Sequence, residues 1–372
     1  MANLKFWKPN EEFLLLEILP TKAKGVLLNI DTDKNIRIAK RWENFELKKL
    51  DSPLRRMTRG NLIVAADPTL AASLDFPMKI KRDGSAADRP ITPAELDAAL
   101  SQSIDKSFNH LRSAASARLK ADELDTILVG IKAAGFKIDG HALFNPVGFP
   151  GKYLDLVLRL TFATRPMFEA FKDYFSARDG FFFASSVDSI ANTIARLAEG
   201  ANFLMLRPER SCVVWRDKQS GAFRERDLEW SFADFLESIA SRVPIQEEPG
   251  AENFLGGRFV FEDQGVLQPI IKSHLRNLAK ELRGVNKNKV VYARLSEPLP
   301  LSLPRKEGGI VFDALPLKSA LGKFGFGCDI SGWRIPEDDV FLVLAPFFDY
   351  YHHRGDSEIH RGLRRKINWL VS

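Results

Sequence analysis

Residues Ile127 to Leu160 read ILVGIKAAGFKIDGHALFNPVGFPGKYLDLVLRL. The stretch opens as a strand rich in Ile, Leu and Val. Asp139-Gly140 marks a turn. Asn145-Pro146-Val147-Gly148 marks a second, with proline preset at its second position and glycine at its fourth. From Tyr153 onward Leu154, Leu156, Leu158 and Leu160 alternate with other residues, the period of a strand. On pattern alone this is compatible with an ordinary pair of strands joined by turns.

Working outward, Thr92-Pro93-Ala94-Glu95 has the form of a capping box with proline at the first helical position. The helix that follows places Leu96, Leu100, Ile104, Phe108, Leu111 and Ala115 on one stripe. Asn61–Ala66 is a short apolar strand, and Lys79 to Asp88, charged and containing Gly and Ser, is expected to be a loop. Thr164-Arg165-Pro166 starts a helix whose Met167, Phe168, Phe171 and Phe175 suit core packing better than a partner site. Phe181 to Ala184 is a buried strand. Val187, Ile190, Ile194 and Leu197 stripe the helix after it, which stops at Glu199-Gly200.

The strand, "DG", "NP.G..G" and strand wording, carried by Asp139, Gly140, Asn145, Pro146, Gly148 and Gly151, resembles the inserted subdomain of the FtsA family. FtsA proteins are actin-like and tether the FtsZ division ring to the bacterial membrane. The order strand, helix, strand, strand agrees too, so the resemblance extends over about residues 61–178. The pilus adaptor family PilM shares the architecture and is the nearest competitor. The resemblance implies an α/β fold: a divergent actin-like (ribonuclease H-like) two-lobed core with an inserted small α+β subdomain. The expected division is a first-lobe subdomain over 1–60 completed by about 336–353, and an insertion over 61–180. A second lobe over 181–335 has 245–288 as its outer helical part. A linker and amphipathic helix occupy 354–372.

In actin-like ATPases two hairpins hold the phosphates. Phe13–Ile18 and Lys24–Ile30 form a hairpin that aligns with the first, and Glu17, Thr21 and Lys22 match its motif. Leu19 stands where glycine lets the backbone approach a phosphate, and Pro20 removes an N–H donor. The second hairpin aligns with Ala201–Gly221. Met205 stands at the first acid, Arg207-Pro208-Glu209 at the glycines, Ser211 at a threonine and Cys212 at the second acid. Phosphate cradling needs the glycines, and magnesium-bound water needs the acids. No glycine turn follows Lys289–Leu295 at the adenine position, and Gly322, Gly325 and Gly327 lie too far downstream to supply one. No catalytic residue and no cofactor are therefore expected, with ATP and magnesium the candidates to test.

Ser231 is read as the cap of a helix, and Pro244 to Gly257 as a loop. A helix over Pro269–Arg283 turns Ile270, Ile271, Leu275, Leu278 and Leu282 inward and Lys272, Arg276, Lys280 and Arg283 outward. The resemblance makes this basic face the receptor of the FtsZ C-terminal peptide; by pattern alone it is a solvated face. His352-His353 has no partner at metal-ligand spacing, so no metal is expected.

Ile359 to Ser372 reads IHRGLRRKINWLVS. Wound as a helix, Ile359, Leu363, Ile367, Leu370 and Val371 share a face about 120° wide. Arg361, Arg364, Arg365 and Asn368 lie opposite, with Lys366 and Trp369 at the boundary. That is the pattern of a helix lying in an anionic membrane interface; a helix docked on its own domain would show the same stripe. FtsA proteins end in such a helix after a linker, here Arg354–Glu358, and PilM-like proteins lack it.

Composition is consistent with this reading. The chain has 372 residues, 45% hydrophobic and 27% charged, with a net charge of +6. This describes a globular protein with a mild preference for anionic partners. Cys212 and Cys328 follow no motif, so a reducing cytosolic setting is expected. The start MANLKFWKPNEEF has no apolar core of signal-peptide length, and no apolar run approaches the ~20 residues of a spanning helix. The expected location is cytoplasmic and peripheral on the inner membrane face, with head-to-tail self-assembly implied by the resemblance. No nucleic-acid partner is expected, because no basic aromatic stripe is present.

Overall fold

The computed structural model describes residues 11–46, 61–173, 181–197, 202–206, 211–217, 219–241, 264–283, 285, 290–295, 306–307, 310–313, 321–328, 344–351 and 363. It divides into two compact units. One comprises residues 1–193, 217–222 and 316–372, the other 194–216 and 223–315.

The first unit is built on a six-stranded sheet. Strands β1 (Glu11–Ile18), β2 (Lys22–Ile30) and β3 (Asn35–Glu46) form an antiparallel meander. Strands β4 (Asn61–Ala66) and β9 (Phe181–Ser185) then add in parallel beside β1. A short strand, Gly327–Cys328, closes the far edge against β3. Central β1 is apolar at consecutive positions, Phe13 through Leu16, because both of its faces are covered. Leu14, Leu16, Leu62, Val64 and Phe183 share a core with Met167 and Phe171. On the other face Phe13 meets Phe347 edge-on at 5.0 Å, and Phe182 meets Tyr350 at 5.6 Å, both from the helical residues 344–351.

The second unit repeats the plan. β10 (Asn202–Leu206), β11 (Ser211–Arg216) and β12 (Phe223–Leu228) form the meander. β13 (Val290–Leu295) and β15 (Ile310–Asp313) add in parallel beside β10, and the two-residue β14 (Lys306–Glu307) lies at the edge. Two sheets with the same order, three antiparallel strands followed by two parallel ones, make this a divergent actin-like, ribonuclease H-like α/β fold.

Between β4 and β9 the chain leaves to build a four-stranded antiparallel sheet, in the order β5-β8-β6-β7. Its strands are β5 (Ala71–Lys81), β6 (Thr126–Ile138), β7 (His141–Leu143) and β8 (Tyr153–Thr164). Helix α1 (Pro93–Leu119) packs on it. Thr92 caps α1 by accepting from the Glu95 N–H at 3.2 Å, as the capping box requires. Two expectations need correcting. Asn61–Ala66 is a strand of the first-lobe sheet, so the insertion begins at about Ala71 instead of Asn61. The expected loop from Lys79 also starts too early, since β5 runs to Lys81. Pro77 lies within that strand and is tolerated because β5 is an edge strand. The helix expected over Arg165 and beyond spans only Arg165–Ala170.

The DG and NP.G..G residues serve this subdomain. Asp139 and Gly140 both have positive φ, 47° and 88°, in a two-residue turn closed by the Ile138–His141 pair. That is the type I′ geometry of a tight hairpin. The second turn is set one residue later than expected. Phe149 N–H bonds to the Pro146 carbonyl, placing Gly148 (φ 89°) at the third position, and Val147 N–H donates to Asn145 Oδ1. The Asp139 carboxylate accepts from the backbone N–H of Tyr153 and Lys152, which holds it below the usual carboxylate range. Buried Arg82 grips the Glu95 carboxylate through two nitrogens and donates to the carbonyls of Gly151 and Arg89. The motif is thus a clamp between the turn and the start of α1.

A Cβ at Gly151 would collide with the Ile138 and Asp139 side chains. Gly151→Ala is expected to cost about 1–3 kcal/mol, read as a lower denaturant midpoint; an unchanged midpoint would remove the clamp.

Candidate functional site

The first candidate region is the β1–β2 hairpin at the carboxyl end of the parallel strands, where open α/β sheets bind ligands. Leu19 N–H bonds to the Lys22 carbonyl at 2.8 Å, closing the turn. Thr21 and Lys22 are exposed, and Glu17 is half-buried on β1 opposite Lys24. Leu19 and Pro20 form the turn itself, so the backbone carries a branched side chain and a ring where a phosphate would need bare amides. Asp67, one residue beyond β4, was not singled out in the sequence. Its N–H donates to the Ile18 carbonyl, and its carboxylate accepts from the Thr69 N–H and hydroxyl. It therefore anchors the exit into the insertion at the root of this hairpin.

In the second unit, Met205 and Cys212 pair across β10 and β11 and are both buried. Apolar side chains fill the positions where acids would hold magnesium-bound water. Ser211 is also wholly buried, as a strand residue opposite Leu228. Arg207–Arg210 lie outside the described residues. Gly325 and Gly327 also have a local explanation. Gly325 (φ 73°) turns the chain, and a Cβ at Gly327 would strike the Asn35 side chain on β3.

The basic helix of the second unit, Gln264–Leu282, starts five residues before the expected Pro269 and accommodates the proline inside it. Lys272, Arg276, Lys280 and Arg283 are exposed, as the stripe predicts, while Leu275, Leu278, Ala279 and Leu282 are buried. Ile270 and Ile271 are only half-buried. His274 is held by Ser238 at 2.9 Å and lies edge-on to Phe235, and burial pushes its pKa down.

Of the tail residues assigned to a membrane face, Leu363 alone is described, and it is 1% exposed in the core cluster of the inserted subdomain. In this structure its side chain faces protein. Ile359, Arg364, Arg365, Lys366, Ile367, Trp369, Leu370 and the pair His352-His353 lie outside the described residues. Among the described residues no helix is long and apolar enough to cross a membrane, and no group of metal-ligating side chains could hold an ion.

The strongest electrostatic feature was not anticipated. The inserted sheet turns Leu154, Leu156, Leu158 and Leu160 toward α1, and the intervening positions of β8 toward the lobe. On that second face Asp75, Arg159 and Lys132 stand side by side on adjacent strands. Arg159, almost fully buried, holds both Asp75 oxygens, at 2.6 and 2.9 Å. Its third nitrogen reaches Asp188 at 2.9 Å and Asn192 at 2.7 Å, both on the helix Ser186–Leu197. Lys132 donates to Asp349 at 3.1 Å and lies over the Phe182 ring at 4.1 Å. Ser189 also reaches Asp349, at 3.3 Å.

Among the described residues three carboxylates thus face two cations. Burial pushes Asp188 up to about 6 against the pull of Arg159 and Lys132, and the surplus negative charge from Asp349 and Asp75 adds to the rise. Arg159 is itself buried, but the carboxylates of Asp188 and Asp75 hold its pKa raised. Three members are lone charges in apolar runs: Lys132 in ILVGIKAAGF, Arg159 in LVLRLTF, Asp349 in LAPFFDYY. That was the available signal, since such charges are rarely buried unpaired.

No family model matches the chain, and no curated protein matches it. Among solved structures it is similar to the PilM-PilN type IV pilus biogenesis complex, at 15% identity. That match covers 96% of this chain and 99% of that one, with a TM-score of 0.48. It is also similar to the cytoplasmic domain of EpsL, an inner membrane component of the type II secretion system of Vibrio cholerae. There the identity is 11% over 84% and 94% of the chains, with a TM-score of 0.35. A Bacteroides thetaiotaomicron protein with an actin-like ATPase fold and unknown function matches at 8% identity over 79% and 84%, with a TM-score of 0.34. The fold assignment rests on the duplicated strand order.

The buried surplus carboxylate gives a pH signature. Asp188 holds its proton to about pH 6 in the folded chain and to about 3.8 when free. Its contribution to stability is therefore present in acid and lost as pH rises between those values. Asp188→Asn needs no ionisation, so its stability relative to the parent should improve from pH 4 to pH 7, by up to about 3 kcal/mol. Urea titrations at both pH values that show a constant difference would refute the assignment.

Proposed function

We propose that this chain is an actin-like adaptor that works by holding partners rather than by turning over a nucleotide. The observation that carries this reading is that both phosphate hairpins keep their shape without their chemistry. Leu19 and Pro20 occupy the first turn, and Met205, Cys212 and Ser211 are buried in the second. Adaptor function needs the lobes and their exposed faces; ATP hydrolysis needs the lost glycines and acids. Titration calorimetry with ATP and magnesium is expected to give no heat at 1 mM nucleotide, a level set by about −4 kcal/mol of binding. Tight, magnesium-dependent binding would restore the ATPase reading.

The finer form of the proposal is a tether of FtsA type. The exposed cations Lys272, Arg276, Lys280 and Arg283 offer an acidic peptide, such as the FtsZ tail, a row of charge-assisted contacts. The C-terminal stripe supplies the membrane contact at on the order of 1 kcal/mol per basic residue, and clustering would multiply this weak affinity. A second reading, a pilus or secretion adaptor of PilM type, is favoured by the burial of Leu363, because a leucine packed against protein needs no membrane.

Co-sedimentation separates the two. The tether reading expects the full chain to pellet with anionic liposomes, less so at high salt, and a chain ending at Ser357 to stay in solution. It also expects the liposome-bound chain to recruit FtsZ, with Lys272→Glu and Arg276→Glu together weakening recruitment by about tenfold. Equal pelleting of long and short chains leaves the PilM-type adaptor.

A further inference from the structure

The burial of Leu363 sets a condition on the tail. Its side chain is covered as fully as Leu154 or Leu156 in the middle of β8, and it shares one apolar cluster with them and with Leu96, Leu100 and Ile104 of α1. A leucine carried on a solvated linker would keep most of its surface in water. The cluster is therefore completed by a residue more than 190 positions beyond the end of the insertion's last strand.

We infer that the inserted subdomain is a docking surface for the chain's own C-terminal segment, seated through Leu363, and that it competes with a membrane for that residue. The occupant is identified by the buried residue itself. Leu363 belongs to the apolar stripe that the tether reading gives to lipid, so the side chain that enters the cluster is also one that lipid would take. One side chain cannot lie against protein and lipid at once. The docked state then lowers the fraction of chains able to bind a membrane, and the apparent affinity falls by that fraction. Full burial of one leucine places the masking at about tenfold or more. The competition rests on the tether reading above; the docking does not.

The test is hydrogen exchange on the full chain, read over Pro93–Leu119 and Tyr153–Thr164, with β10 and β13 of the second unit as the internal reference. In solution Leu363→Ala is expected to raise exchange in the two insertion segments by about tenfold or more and to leave the reference strands unchanged. Phosphatidylglycerol vesicles added to the parent chain are expected to produce the same rise, and phosphatidylcholine vesicles none. If Leu363→Ala leaves α1 and β8 as protected as in the parent, the docking is overturned, whatever the vesicles do. If the variant loosens both segments while the parent sediments with phosphatidylglycerol vesicles at full protection, the competition is overturned and the tether survives. If the variant loosens both and no vesicle sediments the chain, docking stands and the tether reading fails.

Discussion

A row of charges buried between the inserted sheet and helices of the lobe ties the first unit together. Asp75, Arg159 and Lys132 lie side by side across β5, β8 and β6, on a face with no access to water. Two like charges directly opposite each other on neighbouring strands repel. They are kept there because Asp188 and Asp349 approach from helices of the lobe. The other face of the same sheet is apolar and closed by α1. One small sheet is thus joined by hydrophobic burial to its own helix and by ion pairs to the body that carries it. Apolar packing tolerates many alternatives, whereas a buried arginine requires each of its partners in place. The ionic face therefore specifies where the insertion sits, and the apolar face supplies its stability.

The same division of labour explains how the strand order is kept with Leu19, Pro20, Met205 and Cys212 in and beside its turns. The duplicated strand order depends on alternating and continuous apolar runs, and these are intact in β1, β4, β9 and β10. Phosphate binding depends on a few glycines and acids in two turns. Replacing them with Leu19, Pro20, Met205 and Cys212 costs the fold little, since a branched residue suits a turn flank and Met and Cys suit a core. What the chain retains is the duplicated strand order, a clamped insertion and a basic helix.

Much of the molecule was legible in its sequence. The hairpins, the capping box at Thr92, the Asp139-Gly140 turn, the alternating leucines of β8 and the exposed row on the basic helix all follow from local periodicity and turn chemistry. The misses share one cause. The charged end of β5 at Lys79 was read as a loop, and only its pairing with β8 makes it a strand. The place of β4 in the lobe sheet depends on its partners β1 and β9, which local pattern cannot reveal. Gly148 was placed one position wrong in its turn because the closing bond, from Phe149 to Pro146, is set by how the loop meets α1. Arg159 and Lys132 were visible as isolated charges, but their partners lie on other elements.

By itself the sequence determined the first hairpin, the strands β4, β6, β8 and β9, the capped helix α1 and which of their faces are apolar. These are local properties, written within a few residues by side-chain size, period and backbone freedom. The tertiary structure alone decided which strands neighbour one another, that Asp75, Asp188 and Asp349 gather around two buried cations, that Ser211 is closed off from solvent, and that Leu363 enters the insertion's core. Each of these joins residues distant along the chain. What fixes them is the burial of charge and apolar surface, whose free energy depends on every neighbour at once.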